Sequence, residues 1–123
     1  MRASHALGHH GEDLAAIFLV ESGYTIVERN WRSPDRYVPG EIDIVARRGT
    51  CLAFCEVKTR TSVAFGSPAE AVTPAKSARM RRLAAVWLRE HDDTCGEVRV
   101  DIISVLRPRS GRPTIEHIKA IGS

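Results

Sequence analysis

The sequence predicts a single α/β domain with a mixed central β-sheet flanked by helices. Two helical patterns separate groups of strand patterns, which is the arrangement expected of such a domain. The composition, 43% apolar and 27% charged residues, is that of an ordinary globular protein. A chain of 123 residues can bury one hydrophobic core but is too short for two. We therefore expect one domain over residues 1–123, with residues 1–8 flexible.

Two helices are predicted from apolar periodicity and from end signals. The first extends from about residue 11 to residue 22 and ends at Gly23, a residue that favours helix C-termini. The second has Thr73 as its N-cap and Pro74 at its first position, and continues to about Glu90. Its apolar stripe is typical of a core-facing helix, and is formed by Met80, Leu83, Ala84 and Trp87.

Five strands are predicted around these helices. The first covers residues 24–32, and Trp31 near its end is expected to pack in the core. Residues 40–60 form a hairpin with a two-residue turn at Arg48 and Gly49. Residues 97–106 form the fourth strand, in which Asp101 is expected to be a structural partner of Arg99 or of a helix and not a ligand. Residues 114–118 form a last strand at the edge of the sheet.

Three ionisable residues, Asp43, Glu56 and Lys58, interrupt the otherwise apolar hairpin. Charges are seldom buried in a strand unless they are paired or bind a ligand. With the predicted turn, Glu41 joins these three residues on one face of the sheet. Asp43 and Glu56 are then diagonal neighbours at roughly 7 Å between their backbones.

Two carboxylates at this separation can share one hard cation, and an adjacent lysine suits phosphodiester hydrolysis. Lys58 would orient the attacking water or offset charge that develops in the transition state. An ion-pair network on a solvated strand face is the alternative. Glu12 is expected in the first turn of the first helix, where it either complements the helix dipole or adds a third acidic group to the site.

Several motifs occur in a characteristic order. Asp43, followed thirteen residues later by Glu56-Val57-Lys58, resembles the D…ExK core of the PD-(D/E)xK nuclease superfamily. The wider pattern resembles the YraN-like family, whose members are predicted bacterial endonucleases similar to archaeal Holliday-junction resolvases. It consists of GxxGEDLA at residues 8–15, GY at 23–24, RNWR at 29–32, GEID at 40–43, FCEVKTR at 54–60, FGxP at 65–68 and RVD at 99–101.

This resemblance implies a restriction-endonuclease-like core and a Mg²⁺-dependent endonuclease that hydrolyses phosphodiester bonds in DNA, including branched or junction DNA. Mn²⁺ would substitute for Mg²⁺. The implied metal ligands are Asp43, Glu56 and Glu12, and Lys58 completes the catalytic set. The acidic face is expected under the N-terminus of the first helix, with the second helix nearby.

Basic residues are candidates for contacts with nucleic acid. The chain has a net charge of +3, and the segment from Lys76 to Arg89 contains five basic residues and no acidic ones. Such a run is either a solvated helix face or a phosphate-binding surface. Lys76 lies in line with the apolar stripe and is expected to point toward the sheet. The predicted nucleic-acid-binding residues are Arg60, Lys76, Arg79 and Arg82.

A second class of function fits the same residues, namely a non-catalytic nucleic-acid-binding module that retains the nuclease fold. RNA is a third possibility as the ligand. A homodimer is a possible assembly, with residues 114–118 as the expected interface. The three cysteines show no disulfide framework, and the apolar run at residues 14–20 is too short to span a bilayer. We expect a cytoplasmic protein with no membrane partner.

Overall fold

The computed structural model describes residues 3–62, 66, 68, 72–93 and 95–122, with side chains from residue 10 onward. The helices and strands follow the predicted order. They are α1 (Ala3–Glu21), β1 (Thr25–Arg32), β2 (Glu41–Arg48), β3 (Cys51–Arg60), α2 (Pro74–His91), β4 (Glu97–Leu106) and β5 (Thr114–Ile118).

The five strands form one sheet whose spatial order, β1-β2-β3-β4-β5, is the order of the chain. All neighbouring pairs are antiparallel except β3 and β4, which are parallel and are connected through α2. The sheet is therefore mixed, as predicted. Strand β5 lies at one edge, as predicted, and β1 lies at the other.

The two helices cover opposite faces of the sheet, which we call the α1 face and the α2 face. Ala15 and Leu19 of α1 share a buried cluster with Ala53 and Cys55 of β3. Residues of α2 form a larger cluster with the side chains of β3 that point to the opposite face of the sheet. Its members include Leu52, Phe54, Met80, Leu83, Trp87, Val100 and Ile102. Trp31 also belongs to this second cluster and is 8% exposed, which confirms its predicted place in the core.

The start of α2 confirms the predicted cap. The Thr73 hydroxyl oxygen accepts a hydrogen bond from the backbone N–H of Lys76 at 3.1 Å, and Pro74 is the first helical residue. Pro74 suits this position because its fixed φ is helical and its missing N–H would have had no partner there. These contacts fix the backbone of the first turn of α2, which carries Lys76.

The start of α1 corrects the prediction. A helix was expected from about residue 11, but α1 begins at Ala3 and continues through residues 3–8, for which the sequence predicted flexibility. Ala3, Ala6 and Leu7 are strong helix formers, which outweigh the single glycine at position 8. Glu12 consequently lies well inside the helix and not in its first turn. The expectation that it complements the helix dipole is therefore wrong, because that effect is confined to the terminal turn.

Candidate active site

The hairpin of β2 and β3 has a two-residue turn, but at Gly49 and Thr50, since Arg48 pairs with Cys51. The predicted turn was one residue too early, although both turns have an even length. The register therefore shifts by two residues. The paired ladder ends at Ile44 and Cys55, so Asp43 and Glu56 are the next residues of the two strands and are not the diagonal neighbours that the earlier turn predicted.

Asp43 lies at a break in the alternation of β2. Ile42 packs in the cluster on the α2 face, whereas Ile44, two residues later, packs on the α1 face. Strict alternation would place both on the same face. The prediction that four charges share one face is therefore wrong, and Glu41 is instead an exposed residue that forms an ion pair with Arg32.

The neighbouring strand β1 also changes the orientation of its side chains, at the position opposite Asp43. Trp31 pairs with Ile42 and Arg29 pairs with Ile44, so Asn30 faces Asp43 across the ladder. Asn30 has φ +55°, a left-handed conformation that asparagine tolerates better than most residues. This change of conformation turns Trp31 toward the α2 face and Arg29 toward α1. Asp43 is thus placed where both strands change their orientation.

Asp43 is tied to β3 by its own carboxylate, because its Oδ2 accepts a hydrogen bond from the backbone N–H of Val57 at 2.8 Å. Burial raises the pKa of Asp43 to about 6, even though this hydrogen bond acts in the opposite direction. The carboxylates of Glu12 and Glu56 raise the pKa further. Asp43 is therefore held in a site that already carries negative charge, and a bound cation would favour its ionised form.

Glu56 is surrounded by cations on the α2 face. Its Oε1 lies 3.6 Å from Lys58 Nζ and 3.9 Å from Arg79 Nη2, and its Oε2 lies 3.4 Å from Lys76 Nζ. Oε2 is buried, yet no group among the described residues is oriented to donate it a hydrogen bond. These contacts correct the expectation that the acidic residues lie under the N-terminus of α1, because Glu56 and Lys58 face α2.

Glu12 approaches from the α1 face, where it is 9% exposed. Arg29 Nε donates a hydrogen bond to Glu12 Oε1 at 3.2 Å. The helix is close to β3 at the preceding residue, because a Cβ on Gly11 would lie 1.9 Å from Thr59 Oγ1. Glu12 and Glu56 therefore lie on opposite faces of the sheet, and both act electrostatically on Asp43 between them.

The donor set suits a hard divalent cation, which prefers carboxylate oxygens. Asp43 uses Oδ2 for the backbone of Val57 and has a second oxygen for a ligand, and Glu56 Oε2 is buried and accepts no hydrogen bond from the residues that the structure describes. Within the described part of the chain, no three histidine, cysteine or acidic side chains are already close enough together to hold an ion. The residues fit a metal bound mainly by Asp43 and Glu56, with Glu12 as a charged neighbour.

The predicted nucleic-acid-binding residues have different surroundings. Lys76 points toward the sheet, as predicted, and its side chain is only 18% exposed. Arg79 and Arg82 lie on the exposed side of α2. Arg60 donates a hydrogen bond from Nη1 to the Gly66 carbonyl at 2.7 Å. Arg60 also lines a cavity of about 80 Å³ beside the site, together with Lys58, Pro68, Ile102 and Ser104.

Arg29 and Asn30 are the site residues that the sequence analysis missed. Both belong to the RNWR motif, so the motif marked the segment, but their roles depend on partners in α1 and β2. Arg29 joins Glu12 and Asp13 of α1 to the sheet, with 2.7 Å between Arg29 Nη2 and Asp13 Oδ1. The motif alone could have indicated a constrained strand end, but not the identity of these partners.

A second polar cluster lies on the α1 face and confirms that Asp101 is structural. Arg99 donates hydrogen bonds to the buried Asp101 carboxylate, and His117 Nε2 lies 2.7 Å from Asp101 Oδ2. The backbone N–H of Ala120 also binds this carboxylate. Burial alone would raise the pKa of Asp101, but the hydrogen bonds from His117, Arg99 and Ala120 lower it overall. This cluster joins β4, β5 and the C-terminal segment.

Comparison with known proteins identifies the family. Residues 11–105 match the model of "Uncharacterised protein family UPF0102". The chain belongs to the UPF0102 family. The matched segment contains Glu12, Asp43, Glu56 and Lys58 and the basic residues Arg60, Lys76, Arg79 and Arg82, so the whole candidate site lies within the region shared by the family. The match confirms the YraN-like resemblance at the level of the family.

The similarity to UPF0102 relatives extends over nearly the full length. The UPF0102 protein of Beutenbergia cavernae is 54% identical over 122 residues, which cover 99% of this chain and 100% of the relative. That of Streptomyces griseus is 52% identical over 122 residues, covering 98% and 99%. That of Nocardia farcinica is 53% identical over 116 residues, covering 94% and 88%. Among the described residues, neither helix of this family member is both long and apolar enough to cross a membrane.

Proposed function

We propose that this UPF0102 protein is a Mg²⁺-dependent endonuclease with a restriction-endonuclease-like core, which hydrolyses phosphodiester bonds in DNA, including branched DNA. The observation that carries the proposal is the hydrogen bond from the backbone N–H of Val57 to Asp43 Oδ2, which places Asp43 beside the Glu56-Val57-Lys58 segment of β3. Burial and neighbouring carboxylates raise the pKa of Asp43 to about 6, so the site concentrates negative charge that a divalent cation would neutralise. A bound divalent ion would polarise the phosphoryl group and lower the pKa of a water nucleophile.

The chain's own residues have separable roles in this proposal. Asp43 and Glu56 would hold the ion from adjacent strands. Lys58 follows Glu56 on the same face and has a side chain that is 46% exposed, so it can meet a substrate phosphate while remaining 3.6 Å from Glu56 Oε1. Its ammonium group orients the attacking water or stabilises charge that develops on the phosphate oxygens. Glu12 strengthens the negative potential at Asp43 from the other face.

DNA binding would rely on the exposed basic side chains beside the acidic pair. Arg79 is 53% exposed and is 3.9 Å from Glu56 Oε1, so a phosphate bound by Arg79 would be close to the proposed metal ligands. Arg82 extends the positive surface along α2, and Arg60 extends it along β3. Such contacts neutralise the phosphate backbone without reading sequence, which suits an enzyme that recognises the form of its substrate.

The test is a cleavage assay with purified protein on a substrate panel. The panel contains linear duplex, single-stranded, flapped and four-way-junction DNA and a matched RNA, each with Mg²⁺, Mn²⁺ or EDTA. We expect metal-dependent cleavage that is abolished in Asp43→Asn and Glu56→Gln, which remove charge with little change in volume. Cleavage that is equal in EDTA, or equal in both variants, would contradict the proposal.

A non-catalytic nucleic-acid-binding module is the second candidate. It is favoured by the cations around Glu56, since Lys58, Lys76 and Arg79 all lie within 4.0 Å of its carboxylate. Such a network could be a stable ion-pair cluster that only shapes the binding surface. In that case no substrate in the panel would be cut, and the protein would bind nucleic acid with a strong salt dependence that is unchanged in Asp43→Asn.

The proposal includes a homodimer in the cytoplasm. Resolution of a four-way junction requires two cuts, and a two-fold dimer supplies two sites in fixed register. Strand β5 is an edge of the sheet, so its outer backbone groups are available to pair with a second copy. Cys51, Cys55 and Cys95 are free thiols, which supports a reducing compartment. Light scattering beside junction cleavage across a dilution series should show dimerisation and paired cuts together, and paired cuts by a monomer would contradict the dimer.

A further inference from the structure

The two oxygens of Glu56 have different cationic partners. Oε1 is approached by Lys58 and Arg79, whose side chains are 46% and 53% exposed. Oε2 is buried and is approached by Lys76, whose side chain is 18% exposed. Lys58 and Arg79 can therefore leave Glu56 and contact solvent or substrate instead. Lys76 is mostly buried next to Glu56 and has little access to solvent.

The contact between Lys76 and Glu56 is close but not a directed hydrogen bond. Nζ lies 3.4 Å from Oε2, yet Oε2 has no hydrogen-bond partner among the described residues. The interaction therefore rests mainly on charge. Lys76 is anchored at its backbone by the Thr73 cap, while its long side chain keeps several rotatable bonds. The ammonium group can move away from Oε2 without any change in α2.

We propose that Lys76 is an internal counter-cation of Glu56 that occupies the place of the divalent metal until the metal and substrate arrive. This inference rests on the proposed function, because it concerns the same acidic pair. In the metal-free protein, Lys76 holds the Glu56 carboxylate in position through the contact between Nζ and Oε2. When a divalent ion binds, its charge repels the Lys76 ammonium from Oε2. Lys76 is thus a positioning residue and not a standing phosphate contact.

This arrangement couples metal binding to substrate binding. A phosphate near α2 attracts the displaced Lys76 ammonium. Lys76 then competes less with the metal for Glu56, so the metal binds more tightly. By thermodynamic linkage, the metal must favour the phosphate by the same factor. The contact between Lys76 and Glu56 therefore weakens metal binding when nucleic acid is absent, and this effect is relieved when nucleic acid is bound.

The first test is calorimetric titration of the full chain with Mn²⁺. Lys76→Met keeps the length of the side chain and removes its charge, and Lys76→Gln is a second variant in case the first folds poorly. We expect both to bind Mn²⁺ about tenfold more tightly than the wild type, since one repulsive charge at several ångströms has this order of effect. Lys76→Arg should stay near the wild type. Arg112→Met removes an exposed charge from the turn between β4 and β5 and should change the affinity less than about twofold.

The second test uses no metal and isolates the pairing itself. In EDTA, Lys76→Met should lower the melting temperature by about 3–6 °C, because the buried Oε2 of Glu56 loses its nearest cation. In a Glu56→Gln background the same substitution should have little effect. Equal effects in both backgrounds, or wild-type Mn²⁺ affinity in Lys76→Met and Lys76→Gln, would overturn the inference. Absence of Mn²⁺ binding by the wild type would instead refute the proposed function, and the inference with it.

Discussion

Asp43 Oδ2 accepts a hydrogen bond from the backbone N–H of Val57 at 2.8 Å, which ties the acidic residue of β2 to the middle of the Glu56-Val57-Lys58 segment of β3. This contact fixes Asp43 at the point where the side chains of β2 change faces. The carboxylate therefore cannot turn to solvent without losing a backbone partner. Burial makes the ionised form of Asp43 less favourable, and the pKa of Asp43 is raised accordingly.

Asp43 should make the stability of the metal-free protein depend on pH. Burial raises its pKa from 3.8 to about 6, with contributions from Glu12 and Glu56. A carboxyl group with a raised pKa stabilises the folded state only while protonated, so this stability is lost as pH rises from about 4 through 6. Asp43→Asn should therefore be more stable than the wild type at pH 7.5, by about 2–3 kcal/mol, and equally stable near pH 4.

Urea unfolding in EDTA across this pH range measures the effect. The difference in free energy of unfolding between Asp43→Asn and the wild type should grow between pH 4 and 7 and then level off. A constant difference across the range would show that Asp43 titrates normally and that burial and the neighbouring carboxylates do not raise its pKa.

Lys58 should matter for the chemical step more than for the metal. Lys58→Ala should reduce cleavage of the best substrate at least about a hundredfold, as loss of a group that stabilises transition-state charge does. Mn²⁺ affinity by calorimetry should change much less, because Lys58 is half exposed and its charge is screened. Lys119→Ala removes an exposed lysine near β5 and serves as the control. An equal loss of cleavage in Lys58→Ala and Lys119→Ala would show that Lys58 has no specific role in the active site.

The exposed face of α2 should contact phosphates directly. Arg82→Ala should weaken DNA binding and reduce the slope of log K against log salt by about one, since one phosphate contact is lost. Arg112→Ala removes another exposed arginine, from the turn between β4 and β5, and serves as the control. Fluorescence anisotropy in EDTA at several salt concentrations measures both slopes. A change of the same size in Arg112→Ala would indicate general electrostatic attraction in place of a defined surface.

The approach of α1 to β3 should make Gly11 intolerant of a side chain. Alanine normally favours a helix over glycine by about 1 kcal/mol. Here the new Cβ would lie 1.9 Å from Thr59 Oγ1, so Gly11→Ala should lower the free energy of unfolding by about 1–3 kcal/mol. Thr59→Ala removes this oxygen and should recover part of the loss in the double variant. A more stable Gly11→Ala protein would show that α1 does not approach β3 this closely.

Local sequence patterns were sufficient for much of the fold. The cap at Thr73 and Pro74, and the bounds of β4 and β5, follow from capping chemistry and from alternation, which depend on neighbouring residues alone. The hairpin turn was displaced by one residue because Gly49 can occupy either position of a two-residue turn. The hairpin still brings Asp43 beside the Glu56-Val57-Lys58 segment of the adjacent strand.

The remaining features of the site depend on partners distant in sequence. The change of faces at Asp43 is shared with Asn30 in β1, and no pattern within β2 alone indicates it. Glu12 is held by Arg29, whose role requires that α1 lie across β1. Lys76 was predicted to point toward the sheet, but its contact with Glu56 Oε2 requires the register of β3 against α2. These are tertiary relationships, which one strand or helix cannot specify.

The most direct test of the central claim is calorimetric titration of the wild type, Asp43→Asn and Glu56→Gln with Mn²⁺, beside a structural control such as Arg112→Ala. If Asp43 and Glu56 together hold the catalytic ion, the wild type and the control will bind Mn²⁺ alike. Each carboxylate variant, still folded by circular dichroism, will bind at least about tenfold more weakly because a charged ligand is lost. Equal Mn²⁺ binding by all four proteins would contradict the account.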